Sequence, residues 1–576
     1  MVALAAEMGS VMDDRLGGLL PCPRVVRAQP GRMSLRESTP IVASREARAE
    51  GRAVRDVLGG LPWPSADDNR DGEETEILVG TDRNLPAEGY QLTISPQRLN
   101  IVAADPPGAF YAAQTVKQLL PDDAFRGAPV PGLGWALPCA VIEDSPSMAW
   151  RGGHLDVARH FFPKATVFRF IDMLAAHKLN RLHLHLTDDQ GWRIESPSHP
   201  TLHQVGSWRP ETQVGWAHAS PTVYDGTPHG GYFTLADLAE IHAYAARRMV
   251  RVVPEVEMPG HASALLAALP ELAPEPGAPQ AVATGWGITP QIVSPLPGTV
   301  AVLTEVLGEL LGAIPADYVH IGGDECVLDH WRSSPRVEAY RRQLGLPHHD
   351  ALHAYFLRQV ADILADSFGV RAAVWDEGFA STATSAASGV RLREDTLVMA
   401  WRSEDIARRA ALAGHDVVAT PVMPTYLDYF QAEGEAEPLA IGGPVTIEDV
   451  AGLTPRPDSW PDAARERLVG TQFQLWTEYI PDSRSLEYMM FPRAAAFADV
   501  AWHGRPADWP ELRERVRAQL GRLDAAGTGY RPLDGPYPWQ QGGTGARRHW
   551  SGSRINRVTS DLADLADGGK DLTASR

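Results

Sequence analysis

The chain has 576 residues, 44% of them hydrophobic, and 72 acidic against 53 basic residues leave a formal net charge of −19. This acidity argues against nucleic acid or an anionic membrane as a partner, and the length predicts roughly two or three domains. Its three cysteines, Cys22, Cys139 and Cys326, are too few and too scattered to suggest a disulfide framework or a cysteine metal site. No apolar run reaches membrane-spanning length, and residues 1–10 lack the basic segment and unbroken apolar stretch of a secretory signal, so a cytoplasmic protein is expected.

In chain order, residues 16–140 read as a small α+β domain. Glu76–Gly80, Tyr90–Ser95 and Leu99–Ala103 have strand character between turn residues. Phe110, Ala113, Val116 and Leu120 recur at helical spacing over Ala109–Leu120, and Pro121 ends that helix. No catalytic cluster is evident there, which suits a packing or substrate-rim domain. From residue 147 to 533 the pattern changes to eight strand-like runs: Gly153–Val157, Asn180–Leu186, Val250–Val256, Tyr318–Ile321, Ala372–Trp375, Leu397–Trp401, Asp416–Ala419 and Thr471–Trp476. Helical stretches such as Ala165–His177, Leu235–Arg248, Val300–Gly312 and Ala351–Ser367 lie between them. The alternation predicts a closed (β/α)8 TIM barrel, an α/β fold whose active site lies at the C-terminal strand ends. A last helix, Trp509–Leu523, is expected on the barrel's outside, and the Gly/Pro-rich stretch 534–576, with Arg547-Arg548-His549, is expected to be poorly ordered.

The residues after each run converge chemically. They are Arg159, then Asp188-Asp189, then Glu257 and His261, then Asp324-Glu325, then Trp375-Asp376-Glu377, then Trp401-Arg402, then Tyr426 and Asp428, and finally Trp476 and Glu478. Any one of these has an ordinary explanation, since a lone Trp is usually core and a lone Asp usually a helix cap. Eight strand ends contributing acids, tryptophans, an Arg and a His to one rim predict an active-site mouth. The most informative stretch is Tyr318-Val-His-Ile-Gly-Gly-Asp-Glu325. Paired carboxyl groups serve glycosidic-bond cleavage, one as acid and one to steady positive charge. Neighbours on a regular strand face opposite ways, but Gly322-Gly323 lets the backbone leave the strand so that both acids turn to one pocket.

These residues resemble glycoside hydrolase family 20, the β-N-acetylhexosaminidases. The resemblance rests on Arg151-Gly-Gly-His-Leu-Asp-Val-Ala-Arg-His-Phe161, His183-Leu-His-Leu-Thr-Asp-Asp-Gln-Gly-Trp-Arg193, Pro254-Glu-Val-Glu-Met-Pro-Gly-His261, His320-Ile-Gly-Gly-Asp-Glu325, Tyr426-Leu-Asp428 and Trp476-Thr-Glu478. It implies an exo-acting, retaining enzyme in which the substrate's own 2-acetamido oxygen attacks the anomeric carbon, an arrangement outside the two-carboxylate scheme. On that resemblance Glu325 is the acid and then the base. Asp324 holds the acetamido N–H and its growing charge, and Tyr426 orients the acetamido oxygen. Trp375, Trp401 and Trp476 wall the acetamido methyl and the ring face, Arg159 binds O3 and O4, and Asp428 and Glu478 accept from O4 and O6. Asp188 and His261 stand behind Glu325, raising its pKa and shuttling charge. No metal or other cofactor is implied, and the expected partner is a carbohydrate substrate. Two other readings remain open: a metal-dependent hydrolase using His183 and His185, and a non-catalytic sugar-binding protein on the same barrel.

Overall fold

The computed structural model describes residues 13–64, 74–131, 134–277, 280–384, 389–542 and 545. The chain divides into two compact units, Met1–Ser147 with Ala507–Thr528, and Met148–Pro506 with Gly529–Arg576.

The first unit is built on a six-stranded mixed sheet in the order Val25–Leu35, Trp135–Asp144, Tyr90–Ile94, Arg98–Ala103, Glu76–Thr81, Ile41–Ala43. Alternate side chains of Tyr90–Ile94 are buried, the pattern of a strand with one face on a core. Helix Pro106–Gln118 starts where the Asp105 carboxylate accepts from Gly108 N at 2.8 Å, with proline in its first turn. It packs on helix Arg48–Leu58 and on the sheet. The three expected strands and this helix are present. The sheet also contains the strands Val25–Leu35, Ile41–Ala43 and Trp135–Asp144, which the sequence pattern did not reveal. Helix Trp509–Ala525, expected on the barrel, belongs instead to this unit. Its Arg522 donates to Gly18 O at 2.9 Å and to Gln118 O at 3.2 Å.

The second unit is a closed barrel of eight parallel strands, in ring order Trp150–Asp156, Arg181–His185, Arg251–Glu255, Tyr318–His320, Arg371–Trp375, Leu397–Ala400, Val417–Ala419 and Leu468–Phe473. They are called the first to eighth strands below. Gly470 pairs with Trp150 and Phe473 with Gly153, which closes the ring. Helices Lys164–Ala176, Leu235–Ala246, Pro297–Ala313 and His349–Phe368 coincide with the expected helical stretches. The interior is packed by Trp150, Val253, Tyr318, Trp375, Leu397, Met399 and Val418, so it is a filled core and its chemistry is confined to the mouth. The eighth strand ends at Phe473, three residues before the expected end, so Trp476 lies on the loop beyond it. Of the tail 534–576, residues 534–542 and 545 are described, with Tyr537 stacked on Trp539 at 4.7 Å. The remainder, including Arg547-Arg548-His549, lies outside the described residues.

Candidate active site

The fourth strand delivers the acid pair. Beyond it the backbone turns through Gly322 at φ +61° and Gly323 at φ +95°, and Glu325 itself stands at φ +49°. A side chain at Gly322 would have to displace the Glu257 carboxyl, because its Cβ would lie 1.7 Å from Glu257 Oε2. The missing side chain is the space that the Glu257 carboxyl fills. The bend brings an oxygen of Asp324 and one of Glu325 within 4.8 Å of each other and of a ring nitrogen of His261. Asp324 is buried, while the Glu325 side chain retains 29% of its exposure. Glu325 is therefore the member of the pair that meets solvent.

His261, also at positive φ (50°), joins two acid pairs through opposite ring nitrogens. Nε2 lies 3.4 Å from Glu325 Oε2 and 3.9 Å from Asp324 Oδ2, and Nδ1 lies 3.3 Å from Asp188 Oδ1 and 3.6 Å from Asp189 Oδ2. Burial disfavours a charged imidazole, but Asp188 and hydrogen bonds to Asp188, Asp189 and Glu325 override it and hold the His261 pKa well above its ordinary value. An imidazolium favours the ionised form of a carboxyl it faces. Burial pushes Asp188 up, yet Arg159 and His261 hold it well below the usual carboxylate range. Arg159 Nη2 lies 2.8 Å from Asp188, and His185 Nε2 lies 3.0 Å from the same carboxylate.

Asp324 is pushed up to about 7, first by burial and then by the Glu325 and Glu255 charges, with His261 opposing. Glu257 is raised well above the carboxylate range by burial and by Asp324. Glu377 is raised by burial and by Asp376 and Asp324, against Arg402. This corner of the mouth holds more carboxyl groups than it can ionise together.

Opposite stands an aromatic and polar wall. The Trp375 and Trp476 rings are 6.0 Å apart, Trp401 lies 6.3 Å from Tyr426, and Tyr426 lies 6.4 Å from Trp476. Each indole is tethered from outside the cage: Trp375 Nε1 donates to Glu255 at 2.9 Å and Trp401 Nε1 to Glu377 at 2.9 Å. Trp476 carries the Arg159 guanidinium 5.0 Å above its ring. Trp375 is 1% exposed and forms the floor, whereas Trp401 and Trp476 are partly open. Burial, Asp428 and Asp324 raise the Tyr426 phenol well above its ordinary pKa, so it remains a donor. Glu478 lies 4.0 Å from Arg159. Among the described residues neither oxygen of the buried Asp428 has a hydrogen-bond partner, which leaves a carboxyl group ready for a ligand hydroxyl.

All eleven residues selected from the sequence thus line or directly back one mouth. Sequence reasoning missed the groups that aim them. Asp156 accepts from Arg159 N at 3.1 Å and from Thr477 N at 3.1 Å, linking the first and eighth strand ends, and Gln190 accepts from Arg159 Nε at 3.1 Å. Glu255 is 2.6 Å from His320 and 3.2 Å from His183, and it also contacts His185. Their ligand-type atoms, in the groups His183, Glu255, His320 and His154, His185, Glu255, lie within 4.8 Å of one another, a spacing a divalent ion could bridge. The Glu255 oxygens already receive Trp375 and the histidines, so His183 and His185 take part in a hydrogen-bonded core beneath the mouth. The signal that could have found Glu255 and Asp156 is their position, the last residue of a barrel strand.

Residues 148–505 match the catalytic domain of glycosyl hydrolase family 20, and residues 17–145 match domain 2 of that family. The chain is 34% identical over 543 residues to a beta-hexosaminidase of Porphyromonas gingivalis, covering 91% of this chain and 65% of that protein. It is 32% identical over 492 residues to a beta-N-acetylhexosaminidase of Cellulomonas fimi, covering 84% of this chain and 88% of the other. Among solved structures it resembles the family 20 beta-N-acetylhexosaminidase of Streptomyces coelicolor, with a TM-score of 0.73 and 31% identity over 91% of this chain and 99% of that one. It also resembles the exo beta-N-acetylglucosaminidase of Vibrio harveyi solved with N-acetylglucosamine, with a TM-score of 0.74 and 29% identity over 92% of this chain and 80% of that one. With both its barrel and its smaller domain matched in order, the chain belongs to glycosyl hydrolase family 20.

Proposed function

We propose that this protein is an exo-acting, retaining β-N-acetylhexosaminidase that removes terminal N-acetylhexosamine by substrate-assisted catalysis. The observation that carries the reading is the meeting of Asp324, Glu325 and His261 opposite a cage of Tyr426 and three tryptophans. The nearest oxygens of Asp324 and Glu325 lie within 4.8 Å, closer than the roughly 6.5–9.5 Å that separates the two carboxyl groups of an inverting enzyme.

The sugar ring stacks on Trp476 through its C–H face. Arg159 donates to O3 and O4, while Asp428 and Glu478 receive hydroxyl protons. Within the cage the acetamido methyl meets indole surface, Tyr426 donates to the acetamido oxygen, and Asp324 accepts from its N–H. That oxygen attacks C1 as the C1–O bond breaks, and the Glu325 carboxyl gives its proton to the departing oxygen. Positive charge spreads over the resulting oxazolinium ring beside Asp324. A water then attacks C1, Glu325 takes its proton, and the acetamido group is restored with retained configuration. Asp188 and His261 act as positioning groups that fix the Glu325 carboxyl through the ring of His261. The test is turnover of aryl N-acetyl-β-glucosaminide and N-acetyl-β-galactosaminide beside the plain β-glucoside. Release from the first two, with the third at least roughly a thousandfold slower, is expected. Binding without turnover would indicate a lectin, and loss of turnover on chelation a metal enzyme.

A further inference from the structure

Behind Glu478 lies a cavity of about 440 Å³ within the second unit, lined by segments that follow the first, second, third, seventh and eighth strands. Glu478, which faces Arg159 on one side, also lines this cavity, as do its neighbour Tyr479 and His160, the residue after Arg159. The fourth and eighth strands stand opposite each other in the ring of eight. The cavity is therefore on the side of the mouth away from Glu325, where the leaving group departs. Its outer wall includes Gly529 and Trp539–Gly542, beyond the stretch 148–505 that matches the family's catalytic domain. This wall is anchored at two places. Leu439 N donates to Gly542 O at 3.0 Å, and Gly545 approaches Gly215 so closely that a Cβ there would lie 2.6 Å from its Cα.

The lining chemistry narrows the occupant. Trp286, Tyr479 and Trp539 offer ring surfaces, and Trp539 is 63% exposed, with Tyr537 stacked on it at 16° to its plane. An exposed aromatic pair beside a polar cavity is a platform for the C–H face of a pyranose. The Gln540 amide is held within the wall, accepting from Tyr537 N at 2.9 Å and donating to Tyr530 O at 2.8 Å, and three carboxylates, Asp225, Glu478 and Asp482, line the cavity beside one lining guanidinium, that of Arg484. This excess of carboxylates disfavours a sulfated or sialylated ligand and suits neutral hydroxyls. The volume falls in the range of small-ligand sites, enough for one or two sugar rings.

We propose that this cavity is a second saccharide site that holds one or two neutral sugar units other than the one being cleaved, separated from the reacting sugar by Glu478. The proposal rests on the reading of the barrel mouth as the N-acetylhexosaminide site. Because the cavity lies away from the leaving-group side, the remainder of a linear substrate does not reach it, and its occupant is a separate sugar or a second branch of a branched glycan.

The test uses the full chain with its mouth filled by the cyclic thiazoline mimic of the intermediate. N,N′-diacetylchitobiose is then titrated calorimetrically into that complex. Saturable binding is expected, weakened about tenfold or more in Trp539→Ala and in Trp286→Ala. Trp539→Ala, on an exposed rim, should leave kcat/KM for the aryl glycoside unchanged. No binding to the filled wild-type protein, or equal binding by wild type and both variants, overturns the proposal. If the thiazoline does not bind, the reading of the mouth fails instead, and the same titration on the unfilled protein and its variants still decides the cavity.

Discussion

In the proposed mechanism Glu325 and Asp324 are chain neighbours with opposite demands: one must exchange a proton with solvent and substrate, the other must stay beside a growing cation. Their exposure differs accordingly, the Glu325 side chain at 29% and the Asp324 side chain at 11%. Glu325→Gln should therefore lose several orders of magnitude in kcat on an alkyl or sugar leaving group, but much less on a dinitrophenolate, which needs little protonation. Equal losses on both would count against Glu325 as the acid. For Asp324, raised to about 7 by burial and neighbouring charge, kcat/KM should fall on acidification through neutrality as its carboxylate is protonated. Asp324→Asn should lower kcat roughly a hundredfold and lose that limb of the profile. Stability runs the other way. A carboxyl whose folded pKa is raised stabilises the fold fully below its unfolded pKa, and the contribution is lost as pH rises through about 7. Asp324→Asn should thus gain most melting temperature relative to wild type near pH 8, the gain shrinking steadily toward about pH 4, as calorimetry can measure. The acid pair was legible because two glycines precede it. Glu257 was noticed only as a strand-end acid, since its burial depends on an absent side chain at Gly322, one strand away.

The eight barrel strands could be read as elements because strands covered on both faces appear as short apolar runs, and seven of them end within two residues of expectation. The eighth was displaced toward its C-terminus because Gln474-Leu475-Trp476 continues the apolar pattern after the ladder has stopped. Val25–Leu35 was hidden for the opposite reason. It is an edge strand, mostly exposed, whose Pro30-Gly31 imitates a turn and marks the register irregularity between Ala28 and Arg32. Helix Trp509–Ala525 was visible as a helix, but periodicity does not say which core its apolar face meets. The turn after the fourth strand makes a sharp prediction at this scale. Gly322→Ala must accept both φ +61° and a clash with Glu257, so it should cost at least about 1–3 kcal/mol in chemical denaturation. Activity in any folded fraction should be nearly abolished, because Asp324 and Glu325 leave their shared pocket. A stable and active variant would show that this bend does not set the acid pair.

Over the whole molecule, the proposed mechanism puts the proton-transfer groups after the third and fourth strands and the sugar-hydroxyl acceptors after the seventh and eighth, with the aromatic cage running from the fifth strand to the eighth. Such a division fits a sugar lying across the mouth, its non-reducing end toward Asp428 and Glu478 and its leaving group toward Glu325. It also supplies a wall for an acetamido group where an ordinary retaining glycosidase would present a nucleophilic carboxylate. Nothing in the chain's composition foretold this, and its net charge of −19 does not choose a substrate. The central claim is that the nucleophile belongs to the substrate. Its most direct test is a series of aryl glucosaminides whose N-acetyl group carries none, one, two or three fluorines, followed by kcat/KM. Because each fluorine weakens the attacking carbonyl oxygen, the account predicts a steep, monotonic fall across the series. A flat series, or a sugar found covalently attached to a carboxylate of the enzyme, would contradict it.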